Sequence, residues 1–306
     1  MSTIRRSSSS YGSFADGIII RGMPLLTLYP GNVYWVDSNG GGGSKGTFSH
    51  PVATLAEAAA LTTTDNGDII CLKPGHAETI TTTVDFSKSG FAIIGLGFGY
   101  NRPTFTNGLI AATEDAFDFA GDDIVVYNIK WKEAAAGGCT AATVFNVSGD
   151  FFHIENCYIQ MGAVTLTFLS HDTTDKTHLE VIGNTIVGTA AGPDSGVRFE
   201  QRHSYAHIAG NKWLFDASAG IDTGIIIFAS GSGQDHLMEN EFVSGLGDGN
   251  VYQLQTNTDQ TGLVSDVRIF GADGTDHMGT TPASGLAFYN VVCFEPGKQT
   301  LCTTGA

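Results

Sequence analysis

A run of charged residues near the middle of the chain has the makings of an acid–base site. Along Val197-Arg198-Phe199-Glu200-Gln201-Arg202-His203, alternation turns Val197 and Phe199 inward and gathers Arg198, Glu200 and Arg202 on the outer face. Asp172 precedes this run, together with His171, Asp175 and Lys176, where a repeating fold would stack the two stretches. Cleaving a glycosidic bond takes an acid and base pair, or calcium-bound carboxylates and an arginine. A solvated strand face also carries alternating charge, because opposite charges on neighbouring strands attract.

Other chemical motifs are incomplete. Gly40-Gly41-Gly42-Gly43-Ser44-Lys45-Gly46-Thr47 has the composition of a phosphate loop but lacks the Gly-Lys-Ser/Thr order that places lysine and hydroxyl on phosphate and magnesium. His76, His153, His207 and His236 have no partners at ligand spacing and read as turn or surface residues. The five cysteines, Cys71, Cys139, Cys157, Cys293 and Cys302, show no metal spacing. Cys71 and Cys157 fall in apolar strands, and Cys293 with Cys302 is the one pair placed for a bridge. No metal or cofactor is expected.

The elements that would position these groups follow from a period. Asn128, Asn156, Asn184, Asn211 and Asn240 recur at 28, 28, 27 and 29 residues, each inside a short apolar pattern such as Ile154-Glu155-Asn156-Cys157-Tyr158-Ile159. A repeat of this length marks a solenoid whose units stack their apolar faces. Forty glycines and short alternating runs of Thr, Val, Ile and Phe make the units β. One coil of about 28 residues holds three short strands and their turns, stacked in parallel about 4.8 Å apart. The expected fold is an all-β, right-handed parallel β-helix over residues 69–275. A second strand recurs in each unit, as in Phe117-Asp118-Phe119 and Val144-Phe145-Asn146-Val147, with Gly121-Asp122-Asp123 and Ser148-Gly149-Asp150 as corners. The five asparagines are expected to stack in one structural ladder at a corner.

An open solenoid end needs a cover. Residues 33–68 hold a capping box, Thr54-Leu55-Ala56-Glu57, opening a short apolar helix suited to the mouth of the coil. The helix, then Gly67-Asp68-Ile69-Ile70-Cys71-Leu72-Lys73-Pro74-Gly75, then Phe91-Ala92-Ile93-Ile94-Gly95, resembles the opening of pectin-lyase-like β-helix proteins. Tyr34-Trp35-Val36-Asp37-Ser38, Phe48-Ser49-His50-Pro51 and the helix together look like β-helix proteins of tailed bacteriophages. That resemblance implies a virion protein, a capsid decoration or tail-associated spike, assembled as a homotrimer. Asn257-Thr258-Asp259 is similar to a triplet of polygalacturonase-like hydrolases. The further Asp pair, His-Gly and Arg-x-Lys of those enzymes are matched only by Asp273, Asp276, His277 and Arg268-Ile269-Phe270.

Charge narrows the partners. Fifteen basic residues stand against 31 acidic ones, a net of −16, which disfavours nucleic acid and anionic membrane. Residues 1–32 form a Ser- and Gly-rich arm whose Arg5, Arg6 and Arg21 outnumber its Asp16, a basic tether for an acidic rod. Arg5-Arg6 run into serines, so no secretory signal is read, and synthesis in a host cytoplasm is expected. No apolar run reaches the roughly 18 residues of a membrane span. Residues 276–306 leave the repeat and are expected to close the last coil. The three tryptophans follow the packing pattern, leaving no exposed aromatics for a sugar groove. The sequence therefore reads as a structural virion protein held to a capsid or tail protein by its arm. A polysaccharide lyase or glycoside hydrolase acting through Arg198, Glu200, Arg202 and Asp172, or a glycan-binding adhesin without cleavage, is the alternative.

Overall fold

The computed structural model describes residues 18–20, 23–25, 31–40, 45–109, 114–133, 141–162, 165–173, 175–188, 195–215, 224–229, 233–246, 254–255, 260–271, 285–295 and 298–301. Arg5, Arg6, Arg21, Cys139, Asn257-Thr258-Asp259, Asp273, Asp276, His277 and Cys302 lie outside these residues. Among the described residues no helix is long and apolar enough to cross a membrane.

Three long sheets build the chain into a parallel β-solenoid. Each coil contributes one strand to a first sheet, one to a second and one to a third, and the next coil adds its strands alongside. Ile124–Tyr127, Lys130–Lys132 and Ala141–Val147 form one such coil. They pair in parallel with Phe152–Glu155, Tyr158–Met161 and Thr165–His171 of the next. Inward positions alternate with outward ones: Phe152 and Ile154 are buried while His153 and Glu155 face out. Identical side chains meet at the coil spacing inside, so Phe86 stacks on Phe119 at 4.6 Å and Phe199 on Phe228 at 4.8 Å. These distances match the separation of neighbouring strands.

The helix Leu55–Leu61 opens with the expected reciprocal cap, Thr54 accepting from the Glu57 amide and the Glu57 side chain accepting from the Thr54 amide. Leu55, Ala58 and Ala59 join the apolar core of the first coils. Lys88 Nζ donates to the carbonyls of Ala59, Ala60 and Thr62 and closes the helix at its negative end.

Two boundaries differ from the expectation. The first sheet begins with Val33–Val36, before the helix, because that strand pairs in parallel with Asp68–Leu72. The segment expected to leave the repeat instead continues it: Leu286–Tyr289 adds to the first sheet and Val292–Glu295 to the second, both in parallel. Asn290, at φ 52°, turns the corner between them, and only Lys298–Leu301 folds back antiparallel. Cys293 is disulfide-bonded. Cys71 and Cys157 are free and buried, and burial pushes both thiols up to about 12.

The asparagines do not form a single row. Strand pairing aligns Asn128 and Asn156 with Gly183, Gly210 and Asn240 at one corner position, all with φ between 54° and 65°. Asn184 and Asn211 sit one residue later, in line with Cys157 and Glu241. The cause is local: the backbone needs a left-handed residue at the corner, and glycine fills it where asparagine is displaced. The second column is a buried amide ladder. Asn184 Oδ1 accepts from the Cys157 amide at 2.8 Å, and Asn211 Oδ1 accepts from the Asn184 backbone and side-chain amides at 2.9 and 3.1 Å.

Candidate functional site

The charged run of residues 197–203 is only partly assembled. Arg198 and Glu200 form an ion pair on the outer face of the third sheet. Arg202 turns away to pair with Asp175 at 3.5 Å, because a corner separates it from the strand Ser195–Phe199. Asp172 lies in register with Glu200 one coil earlier, and it also accepts from the Asn146 side-chain amide at 3.3 Å. Arg198, Glu200 and Asp172 thus share one outer face across two neighbouring coils, and Arg202 pairs elsewhere.

A different set of groups converges on the first sheet, beginning at the corner where each coil enters it. Pairing places Gly67, Gly90, Asp123, Phe151, His178, Tyr205 and Asp235 in one column. All seven have left-handed backbones, with φ from 55° to 71°. Glycine and aspartate suit that conformation, whereas a bulky side chain there is strained by roughly 1–2 kcal/mol. Three consecutive coils nevertheless carry rings. Phe151 stacks on His178 at 4.4 Å and His178 on Tyr205 at 5.1 Å, with ring planes 15° and 23° from parallel, and Phe151 and Tyr205 are each 48% exposed. Strain kept at an exposed position is a mark of function. An open groove of about 400 Å³, lined by Asp65, Gly90, Asp123, Val125 and Phe151, adjoins the end of the stack.

Two residues beyond each ring, the outward face of the sheet carries His153, Glu180 and His207 in a row across the same three coils. His153 Nδ1 lies 2.5 Å from Glu180 Oε2, and its Nε2 lies 3.3 Å from Glu155 Oε2. His207 Nε2 lies 3.3 Å from Glu239 Oε1. An imidazole held between carboxylates can take a proton on one side and give it on the other. The histidines read as lone residues are therefore partnered, since strand pairing supplies neighbours that linear spacing hides. His76 likewise contacts Glu78 at 3.2 Å and His236 contacts Gln260 at 3.1 Å. Exposed aromatics are present as well, only not as tryptophans: Trp131 and Trp213 are fully buried.

Behind the ridge, inside the corner, lie three buried histidines. The His171 and His203 rings are 4.5 Å apart, and those of His203 and His236 are 6.1 Å apart. Burial lowers all three, His171 and His236 to about 4 and His203 to about 2, the last helped by His171, His236 and His178. His236 Nδ1 accepts from the Ala206 amide, which leaves its proton on Nε2 toward Gln260. Neither ring nitrogen of His171 or His203 has a well-aligned hydrogen-bond partner. No group of His, Cys, Asp or Glu among the described residues has the geometry of a metal site.

Neither a family model nor a curated protein matches this sequence. Among solved structures, a pectate lyase, Pel9A, is similar at 17% identity over 84% of this chain and 68% of that one, with a TM-score of 0.46. A rhamnogalacturonan lyase is similar at 15% identity over 85% and 73%, with a TM-score of 0.38. A lacto-N-biosidase of family GH136 from Eubacterium ramulus is similar at 13% identity over 86% and 67%, with a TM-score of 0.37. The parallel three-sheet coil of this chain rests on its own strand pairing.

Proposed function

We propose that this protein binds a linear polysaccharide lengthwise on its first sheet and cleaves it, with His153 and Glu180 as the proton-transfer pair. The carrying observation is the exposed stack Phe151–His178–Tyr205, kept in a strained backbone directly beside the row His153–Glu180–His207. Aromatic faces receive the apolar faces of sugar rings, and a stack repeating once per coil suits a repeating polymer. Hydrolysis and elimination of a glycosidic bond both need one group to accept a proton and another to donate one. Virion attachment through residues 1–32 has no comparable support.

The test is release of new reducing or unsaturated ends from a panel of neutral and acidic polysaccharides. His153→Gln and Glu180→Gln are expected to lower kcat by about 10²- to 10⁴-fold while binding persists. Binding without release from any member of the panel would assign the face to a non-cleaving adhesin. Absence of binding as well would reject the site.

A further inference from the structure

Charge is sorted by sheet in this acidic protein. Carboxylates occupy the outward faces of the first sheet, at Glu155, Glu180 and Glu239, and of the third, at Asp85, Asp118 and Glu200. The second sheet is different. From Thr104–Asn107 to Arg268–Gly271, its outward positions carry Lys130, Lys132, Lys212 and Arg268 and no carboxylate among the described residues. Lys130, Tyr158, Thr185, Lys212, Phe242 and Arg268 follow one another in a single row along the rod.

That row begins in a built pocket of about 330 Å³, lined by Gly99, Tyr100, Arg102, Lys130 and Tyr158. Its wall is the connection between Phe91–Gly95 and Thr104–Asn107, which is several residues longer than the tight corner of other coils. The wall is pinned. Asn128 Nδ2 donates to the carbonyls of Gly95 and Gly97 at 2.7 and 3.0 Å, and the Gly75 amide donates to Asn101 at 2.8 Å. Gly97 is at φ 104°, and a Cβ there would stand 2.4 Å from the Asn101 carbonyl oxygen. Held this way, the wall leaves Tyr100 fully exposed and sets the buried Arg102 Nε without a hydrogen-bond partner. Lys130 Nζ lies 5.3 Å from the centre of the Tyr158 ring. Neither Arg102 nor Lys130 makes an ion pair among the described residues, although acidic residues outnumber basic ones twofold in the chain.

We infer that this pocket seats an acidic sugar of a polysaccharide that runs along the second sheet. The carboxylate or sulfate of that sugar meets Arg102 and Lys130, its ring lies against Tyr100 and Tyr158, and later acidic units meet Lys212 and Arg268. Lys130 and Lys212 are three strands apart and Lys212 and Arg268 two, so the cations are spaced by about 10–14 Å. Duplex nucleic acid carries one negative charge per roughly 1.7 Å, far denser than this row, and the net −16 would repel it. A polymer with one charge every sugar or two is the better match. This surface is separate from the proposed cleavage face and does not depend on it.

The experiment is titration calorimetry on the full chain with an oligouronate hexamer, a sulfated glycosaminoglycan hexamer, neutral maltohexaose and a single-stranded DNA dodecamer. At least one acidic hexamer is expected to bind, more weakly as salt rises, and the stronger of the two names the anionic group. Arg102→Gln and Lys130→Gln should each weaken it by about tenfold, the loss of one charge-assisted hydrogen bond. Tyr100→Ala, at a fully exposed position that cannot disturb the core, should weaken it too. The losses in Arg102→Gln and Lys130→Gln should persist undiminished in a Phe151→Ala background, which separates this surface from the ring column of the first sheet. Equal binding of maltohexaose, tighter binding of the DNA, binding of neither acidic hexamer, or wild-type affinity in Arg102→Gln and Lys130→Gln would overturn the inference.

Discussion

The Trp213 indole Nε1 donates to Glu241 Oε2 at 2.5 Å in the interior of the solenoid, where both side chains are fully buried. Glu241 Oε1 accepts from the Asn211 backbone and side-chain amides at 3.1 and 3.0 Å, so the carboxylate ends the buried amide ladder. Three donors face it. Glu241→Gln replaces one acceptor oxygen by a second donor, and is expected to cost about 1–3 kcal/mol. In a Trp213→Phe background that conflict is removed. A double-mutant cycle in urea should therefore show coupling between the two changes, and strict additivity would reject the bond as a stabilising contact.

Burial pushes Glu241 up to about 7, against the pull of Trp213 and Asn211. A carboxyl whose folded pKa exceeds its unfolded value of about 4.3 stabilises the fold fully below that value. Its contribution is lost as pH rises toward and through 7. Wild-type stability should thus fall from pH 5.5 to 8 relative to Glu241→Gln, measured as the pH dependence of the urea midpoint.

The buried histidines act in the opposite sense. His171, His203 and His236 are lowered well below 6.5, so the unfolded chain binds their protons first. Their stabilising neutral forms are secure above about 6.5 and are lost as pH falls from there toward 4. Each histidine should contribute on the order of 1–2 kcal/mol of destabilisation between pH 7 and 5. His203→Leu removes two unpartnered ring nitrogens and should raise stability more at pH 5 than at pH 7.5. An equal change at both values would show that His203 is not buried neutral.

The two classes of asparagine should separate on mutation. Asn211→Ala deprives Asn184 of its acceptor inside the rod and should cost about 1–3 kcal/mol. Asn240→Gly, at an exposed position of the same corner column, keeps the left-handed backbone and should change stability by less than about 0.5 kcal/mol. Equal costs, read from thermal unfolding, would restore the single ladder.

This division explains what was legible in the sequence. The period near 28 residues is set by the corner between the first two sheets, and asparagine and glycine are the residues that a left-handed corner admits, so the coil could be read from them. Aligning the chain on asparagine alone hid the shift at Gly183-Asn184 and Gly210-Asn211, where the preceding glycine was the available signal. The candidate site was harder to see. Phe151, His178 and Tyr205 share a backbone conformation and a column but no residue type, and His153 and Glu180 meet only through strand pairing. Arg198, Glu200 and Arg202 looked promising because alternation was carried through Arg202, one residue before the His203 that opens the next strand. The recurrence of His153 and His207 just ahead of the asparagine segments was the trace that the sequence did hold.

The ring column allows stability and binding to be pulled apart. Phe151 and Tyr205 occupy positions where neighbouring coils use Gly90, Asp123 and Asp235, and nothing in the packing demands a ring, since both are half exposed. Asparagine is at ease in this backbone region, so Phe151→Asn and Tyr205→Asn should each stabilise the fold by about 1 kcal/mol. The same changes remove the stacking surface and should weaken polysaccharide binding on the first sheet severalfold, without altering the circular dichroism of the β-rod. A selected binding platform is the arrangement that gives higher stability together with lower affinity. Should the variants gain stability and bind as before, the rings would be incidental to recognition. Should they lose stability, the stack itself would be holding the corner together.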